Sequence, residues 1–185
     1  MIRHPKRRGE WVELQFMARA AAHGLIVPRI EARAERRRLH PWPCETLRSK
    51  NPAIRDNKRR GEWAELKFMS RASEKGLSVA KPWGESGRYD VIVENGGRMV
   101  RVQVKCTYHR RGNSYVCRTL PDDHERGYRR HDFDYFAAYI VPEYIWYILP
   151  ARKVMRLAGN LWLSPHKRGH KYEKYMEAWE LLKHR

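Results

Sequence analysis

The segment at residues 98–108 is constrained to a β-strand with one buried face, because apolar and polar side chains alternate from residue 100 to residue 107. The apolar positions are Val100, Val102, Val104 and Cys106. An Asn-Gly-Gly turn at residues 95–97 joins this segment to an earlier one at residues 89–94. The two segments are therefore predicted to pair as a β-hairpin.

The polar face of this hairpin combines an acid, an amide and an amine. Gln103 and Lys105 lie side by side on the second strand, and the first strand brings up Asp90. Metal-dependent phosphodiester cleavage would use these three groups. The alternative is an ordinary solvated strand face, with Asp90 bonded to nearby backbone at the start of its strand.

The charge of the chain favours a polyanionic partner. Lys and Arg number 39 against 21 Asp and Glu, a formal net charge of +18. The excess of positive charge is concentrated near the N-terminus, where residues 1–60 hold 16 basic and 6 acidic side chains. No apolar run approaches the length of a membrane span, and no signal peptide is evident, so a cytoplasmic protein that does not bind membranes is expected.

The three cysteines, Cys44, Cys106 and Cys117, lack the spacing of a zinc site or of a disulfide framework. If the chain turns at residues 111–112, Cys106 and Cys117 become direct cross-strand neighbours with buried free thiols.

One helix is present twice in the sequence. Residues 6–20 recur with few changes at residues 58–72, an offset of 52 positions, and a Gly-Leu pair follows each copy. The first copy leads into an Arg-rich segment at residues 30–39 and a polar linker. We therefore divide the chain into residues 1–57, a duplicated N-terminal helix with a basic linker, and a domain at residues 58–185.

Within the second copy, a helix is predicted at residues 60–75, with Glu65 at the edge of its apolar stripe. A carboxylate there costs free energy unless it is paired. It is either part of a site with Asp90 or a boundary residue that reaches water or a nearby Arg.

The remaining elements are predicted from periodicity and turn residues. They are strands at residues 78–82, 133–141, 144–149 and 161–163, a short helix at residues 150–157, and a C-terminal helix at residues 171–183.

A hard divalent cation such as Mg²⁺ or Mn²⁺ would find oxygen ligands here. Asp90 offers a carboxylate, Gln103 an amide oxygen and Val104 its backbone carbonyl, while Glu65 would bind through water or hold a second ion. Lys105 would orient the attacking water or stabilise charge in the transition state.

The order Gly61-x-x-x-Glu65, then Asp90, then Gln103-Val-Lys105 resembles the PD-(D/E)xK nuclease superfamily, in particular its Holliday-junction-resolvase-like branch. Gln103 stands where an acid is usual, which removes one negative charge. Some intron homing endonucleases of the superfamily are similar in using Gln there. The resemblance implies a restriction-endonuclease-like α/β core with a central mixed, mostly antiparallel sheet flanked by helices. It also implies Mg²⁺-dependent cleavage of DNA, for which a homodimer is one arrangement.

Two other functions remain open. The chain could bind nucleic acid without cutting it, or the repeated helices could form a surface for a protein partner. Binding to phosphates would weaken with salt and would not need a metal. The basic residues expected to contact nucleic acid are Arg59, Arg60, Arg88, His109, Arg110 and Arg111, with the Arg-rich run at residues 33–38 as a further candidate.

Overall fold

The computed structural model describes residues 54–83, 87–120, 127–157 and 159–183. The first copy of the repeat, the Arg-rich segment and most of the linker lie outside the described residues. The division of the chain at residue 57 therefore stays a prediction.

The second copy of the repeat forms helix α1, Asn57–Glu74. The helix begins at Asp56, whose carboxylate accepts a 2.7 Å hydrogen bond from the backbone N–H of Arg59. At its end the N–H of Leu77 donates to the carbonyl of Ala72, and Gly76 takes a φ of 82° that suits glycine. The predicted helix is confirmed, with a start three residues earlier.

The central sheet consists of β1 Ser78–Ala80, β2 Val91–Asn95, β3 Arg98–Thr107, β6 Tyr135–Ile140 and β7 Ile145–Pro150. These strands lie in the order β1-β2-β3-β6-β7 across the sheet. Among the described strands of this sheet, only β3 and β6 pair in parallel, so the sheet is mixed and mostly antiparallel, as predicted.

A second, three-stranded antiparallel sheet has the order β4-β5-β8. Its strands are β4 Arg110–Arg111, β5 Ser114–Arg118 and β8 Asn160–Leu163, and the short helix α2, Ala151–Val154, follows β7.

Alternation along the central strands supplies two hydrophobic cores, one on each face. The first core packs α1 against one face of the central sheet, and the second packs the small sheet and α2 against the other. Buried side chains of the first core include Trp63, Phe68, Met69, Val93, Val102, Val104 and Ile148. Those of the second include Tyr115, Cys117, Phe136, Ile140, Leu149, Val154 and Leu161.

The predicted pairing of Cys106 with Cys117 is wrong. The turn comes at residues 112–113, so Arg111 opposes Ser114. Strand β3 also ends at Thr107, which pairs with Ile140 of β6 and whose hydroxyl donates a 2.7 Å hydrogen bond to the carbonyl of Val116. The chain then enters the second sheet, which places the two free thiols in different cores.

The predicted C-terminal helix is also wrong. Two short 3-10 turns, Glu173–Tyr175 and Trp179–Leu182, replace it. Between them Glu177 has a φ of 50°, and its backbone N–H donates to the carbonyl of Trp146 on β7. This hydrogen bond to the edge strand β7 takes the place of a hydrogen bond within a helix. The apolar side chains at helical spacing still pack into the two cores.

Among the described residues, no helix has the length and apolar character needed to cross a membrane.

Candidate active site

The hairpin of β2 and β3 brings the predicted site residues of the two strands together. Val91 opposes Val102 and Asn95 opposes Arg98, which leaves Gly96 and Gly97 as a two-residue turn. Both glycines have positive φ, 58° and 82°, as a tight hairpin turn of this kind requires. The predicted hairpin is confirmed.

Asp90 lies just before β2 and continues its pairing, since its N–H donates a 3.0 Å hydrogen bond to the carbonyl of Val102. One oxygen of its carboxylate, Oδ2, accepts two 2.6 Å hydrogen bonds. They come from Nε2 of Gln103 and from the backbone N–H of Val104. The alternative in which Asp90 bonds nearby backbone therefore holds in part, but the same carboxylate also contacts Gln103.

Burial perturbs this carboxylate strongly. Burial, aided by the negative charge of Glu65, raises the pKa of Asp90 from 3.8 to about 7, although the contacts with Val104, Lys105 and Gln103 favour the ionised form. A carboxyl group whose pKa is raised by a second nearby carboxylate is typical of metal and catalytic sites. Gln103 is itself buried, at 7% exposure.

Glu65 reaches this site from α1. Its side chain is 16% exposed, and Oε2 lies 2.7 Å from Nζ of Lys81. Apart from this ion pair, the buried oxygen has no polar partner within the described part of the chain. Glu65 at the helix boundary was expected to reach water or a nearby Arg, and its partner in the structure is Lys81.

Lys105 is half-buried on β3, two residues beyond Gln103. Its positive charge lowers the pKa of Asp90, which places the ammonium close to that carboxylate. The structure therefore brings together the four residues proposed for catalysis, Glu65, Asp90, Gln103 and Lys105.

The oxygen atoms of the site fit a hard divalent cation. The carboxylates of Glu65 and Asp90 are neighbours, and one oxygen of Glu65 is buried without a hydrogen bond. The amide of Gln103 bonds to Asp90 through Nε2, so its oxygen Oε1 can act as a metal ligand. In the described residues no three His, Cys, Asp or Glu side chains form a metal-binding group, so a cation here would depend on the amide and the Val104 carbonyl as well.

Part of the basic set lies where α1 begins and β3 ends. The guanidinium of Arg60 lies 5.9 Å from the ring centre of Tyr108, and the thiol of Cys106 donates to the Arg60 carbonyl. His109 follows, and its Nε2 accepts a 3.0 Å hydrogen bond from Nε of Arg111.

The other predicted basic contacts are also at the surface. Arg59, Arg88, Arg110 and Arg111 are all exposed. Arg88 precedes Asp90 by two residues, and Nε of Arg110 donates to the carbonyl of Gly112 in the turn of the second sheet. A role of these side chains in binding nucleic acid stays a prediction.

Two contacts at the site were missed from the sequence. Lys81 follows the edge strand β1, and nothing in the sequence pairs it with Glu65. Arg101, on the polar face of β3, instead pairs with Asp134: Nη2 lies 3.2 Å from Oδ1, and the backbone N–H donates to Oδ2 at 2.8 Å. This pair explains Arg101 as a structural residue that anchors the loop before β6.

Comparison with known proteins supports both the family and the fold. A family model described as PD-(D/E)XK endonuclease matches residues 55–182. A solved structure of a bacterial homing endonuclease, I-Ssp6803I, is 26% identical, with a TM-score of 0.62 over 69% of this chain and 93% of that chain. A comparison with curated proteins gave no match.

Proposed function

This chain belongs to the PD-(D/E)XK endonuclease family, and from that premise we propose that it is a Mg²⁺-dependent endonuclease that hydrolyses phosphodiester bonds in DNA. The observation that carries the proposal is the convergence of Glu65, Asp90 and Gln103 on one partly buried site with Lys105 beside it. The solved relative, a homing endonuclease, supports the same class of reaction.

Asp90 and Gln103, with the Val104 carbonyl between Gln103 and Lys105, would hold Mg²⁺ or Mn²⁺, and Glu65 would complete the set. When bound, the cation supplies positive charge to the phosphoryl oxygens and lowers the pKa of water. Asp90 can bind a cation only when its carboxyl group is ionised. Its pKa of about 7 means that it loses its proton near neutral pH.

Lys105 supplies the second positive charge of the site. The ammonium lies close enough to Asp90 to favour its ionised form. From there it would orient a water molecule for attack and stabilise the charge that develops on the phosphoryl group. A Lys on a rigid central strand suits this role, because the strand fixes its position relative to the carboxylates.

DNA is the substrate that the charge distribution supports best. The chain carries a net charge of +18. Arg60 of α1 lies beside Tyr108 at the end of β3, the strand that bears Gln103 and Lys105, and His109 and Arg111 follow in the chain. Phosphates bound there would lead the backbone towards the site. Cutting both strands would require two sites, for which a homodimer is the expected arrangement.

One observation favours a second candidate, a nuclease-fold protein that only binds nucleic acid. Gln103, which the resemblance places where an acid is usual, donates its amide N–H to Asp90. An amide ligand carries no charge and holds a divalent cation more weakly than a carboxylate does.

The test is incubation with supercoiled plasmid, linear duplex, a four-way junction and single-stranded DNA, each with Mg²⁺, Mn²⁺ or EDTA. The proposal predicts metal-dependent nicking of at least one substrate. Asp90→Ala should lower the nicking rate by roughly 10²-fold or more while DNA retention on a gel persists. Glu180→Ala, at a carboxylate that is 78% exposed, is the matched control.

Retention in EDTA with no nicking of any substrate would favour the second candidate. Metal-dependent nicking that Asp90→Ala leaves intact would contradict the assignment of the site.

A further inference from the structure

Lys81 holds Glu65 at the edge of the candidate metal site. The residue comes directly after β1, an edge strand of the central sheet, and its Nζ lies 2.7 Å from Oε2 of Glu65. The two side chains differ in exposure, 48% for Lys81 and 16% for Glu65. The contact therefore joins a partly solvated ammonium to a mostly buried carboxylate.

The ammonium of Lys81 gives Glu65 the positive charge that a bound divalent cation would otherwise give it. Oε2 of Glu65 is buried and accepts no hydrogen bond from the described residues, so the nearby positive charge of Lys81 compensates for its lost hydration. This oxygen is also one of the few hard donor atoms of the site. Lys81 and a divalent cation would thus compete for the same atom.

We propose that Lys81 is a positioning residue that occupies the place of the divalent cation at Glu65 in the metal-free protein and must leave when the cation binds. The inference rests on the proposed function, because it assigns Glu65 to the metal site. The long, half-exposed side chain of Lys81 can turn into solvent when it is displaced.

Two measurable consequences follow from this exchange. Without Lys81, the metal-free protein keeps a buried carboxylate with no compensating charge, which lowers its stability. A divalent cation then binds without a competitor, so its affinity rises and it stabilises the protein more than it stabilises the wild type.

The experiment measures Mn²⁺ binding to the full chain by isothermal titration calorimetry, together with Tm in EDTA and in Mn²⁺. Lys81→Met should bind Mn²⁺ roughly tenfold more tightly than the wild type, with a lower Tm in EDTA and a larger rise in Tm on adding Mn²⁺. Lys75→Met, at an exposed lysine at the end of α1, should behave as the wild type.

A second variant separates charge from side-chain shape. Lys81→Arg keeps the positive charge and should bind Mn²⁺ within about threefold of the wild type. A tenfold gain in this variant as well would overturn the proposal. If Lys81→Met fails to fold, Lys81→Gln, which is also neutral, takes its place with the same expectation.

The outcomes distinguish this inference from the proposed function. Wild-type binding with an equal or weaker affinity in Lys81→Met overturns the role of Lys81 alone. Absence of binding in both proteins overturns the role of Lys81 and the metal site together.

Discussion

The side-chain amide of Gln103 donates a 2.6 Å hydrogen bond to Oδ2 of Asp90. A carboxylate at residue 103 would add a third negative charge beside Asp90 and Glu65. Glu65 already raises the pKa of Asp90, so a further acid would repel both. On the proposed function, the amide at residue 103 would therefore weaken the binding of a divalent cation relative to a carboxylate at the same position.

The first prediction tests this exchange at residue 103. Gln103→Glu should bind Mn²⁺ roughly tenfold more tightly, because it supplies an anionic ligand, and should lower Tm in EDTA at pH 8, because the hydrogen bond to Asp90 is replaced by repulsion. Gln103→Met, of similar size but without a ligand oxygen, should bind Mn²⁺ more weakly than the wild type. Calorimetry and thermal melts measure both effects, and tighter binding in the Met variant would refute the role of the amide.

The second prediction concerns the raised pKa of Asp90. The folded protein binds this proton up to a pKa of about 7, whereas the ordinary value is 3.8. Protonation therefore contributes stability that is fully present below about pH 4 and is lost as the pH rises through 7. In EDTA, the free energy of unfolding should fall by up to about 1.4 kcal/mol per pH unit across this range on account of this group.

Asp90→Asn removes the titration while it keeps an oxygen that can accept the N–H of Val104. Its stability relative to the wild type should increase between pH 5 and pH 8, measured by urea unfolding in EDTA. A difference between the two proteins that stays constant with pH would show that Asp90 is not the titrating group.

The third prediction tests the basic surface at the end of β3. Arg111→Ala should weaken DNA binding in EDTA and lower the slope of log affinity against log salt by roughly 0.9, the loss of one phosphate contact. Arg152→Ala, an exposed Arg on α2, is the control and should leave the slope unchanged. Equal slopes for all three proteins would place DNA on another surface.

The hairpin of β2 and β3 could be predicted because independent local signals agree on one register. The alternation of Val100, Val102 and Val104 specifies the buried face, and the glycine turn sets which residues oppose each other. One hairpin therefore positions both Asp90 and Gln103. The contribution of α1 was predictable only from the motif, since periodicity placed Glu65 at the edge of a helix and no further.

Contacts between distant segments lacked any such local signal. The parallel pairing of β3 with β6 joins residues more than thirty positions apart, and the ion pair of Lys81 with Glu65 depends on where β1 lies against α1. The C-terminal helix was predicted wrongly for a related reason. Its helical spacing of apolar residues is satisfied by two short turns once Glu177 bonds to Trp146.

The fourth prediction concerns Lys105, which on our account assists the reaction without holding DNA. Lys105→Met should lower the nicking rate by roughly 10²-fold or more in Mg²⁺ and leave DNA retention unchanged. The matched control, Lys75→Met, replaces an exposed lysine outside the site and should nick at the wild-type rate.

Metal-dependent cleavage at this site is tested most directly by the single-turnover rate of plasmid nicking by the wild type, Lys105→Met and Lys75→Met in Mg²⁺ and in EDTA. We expect rapid nicking by the wild type and by Lys75→Met in Mg²⁺ only, and almost none by Lys105→Met. Equal rates for the wild type and Lys105→Met, or nicking that persists in EDTA, would contradict it.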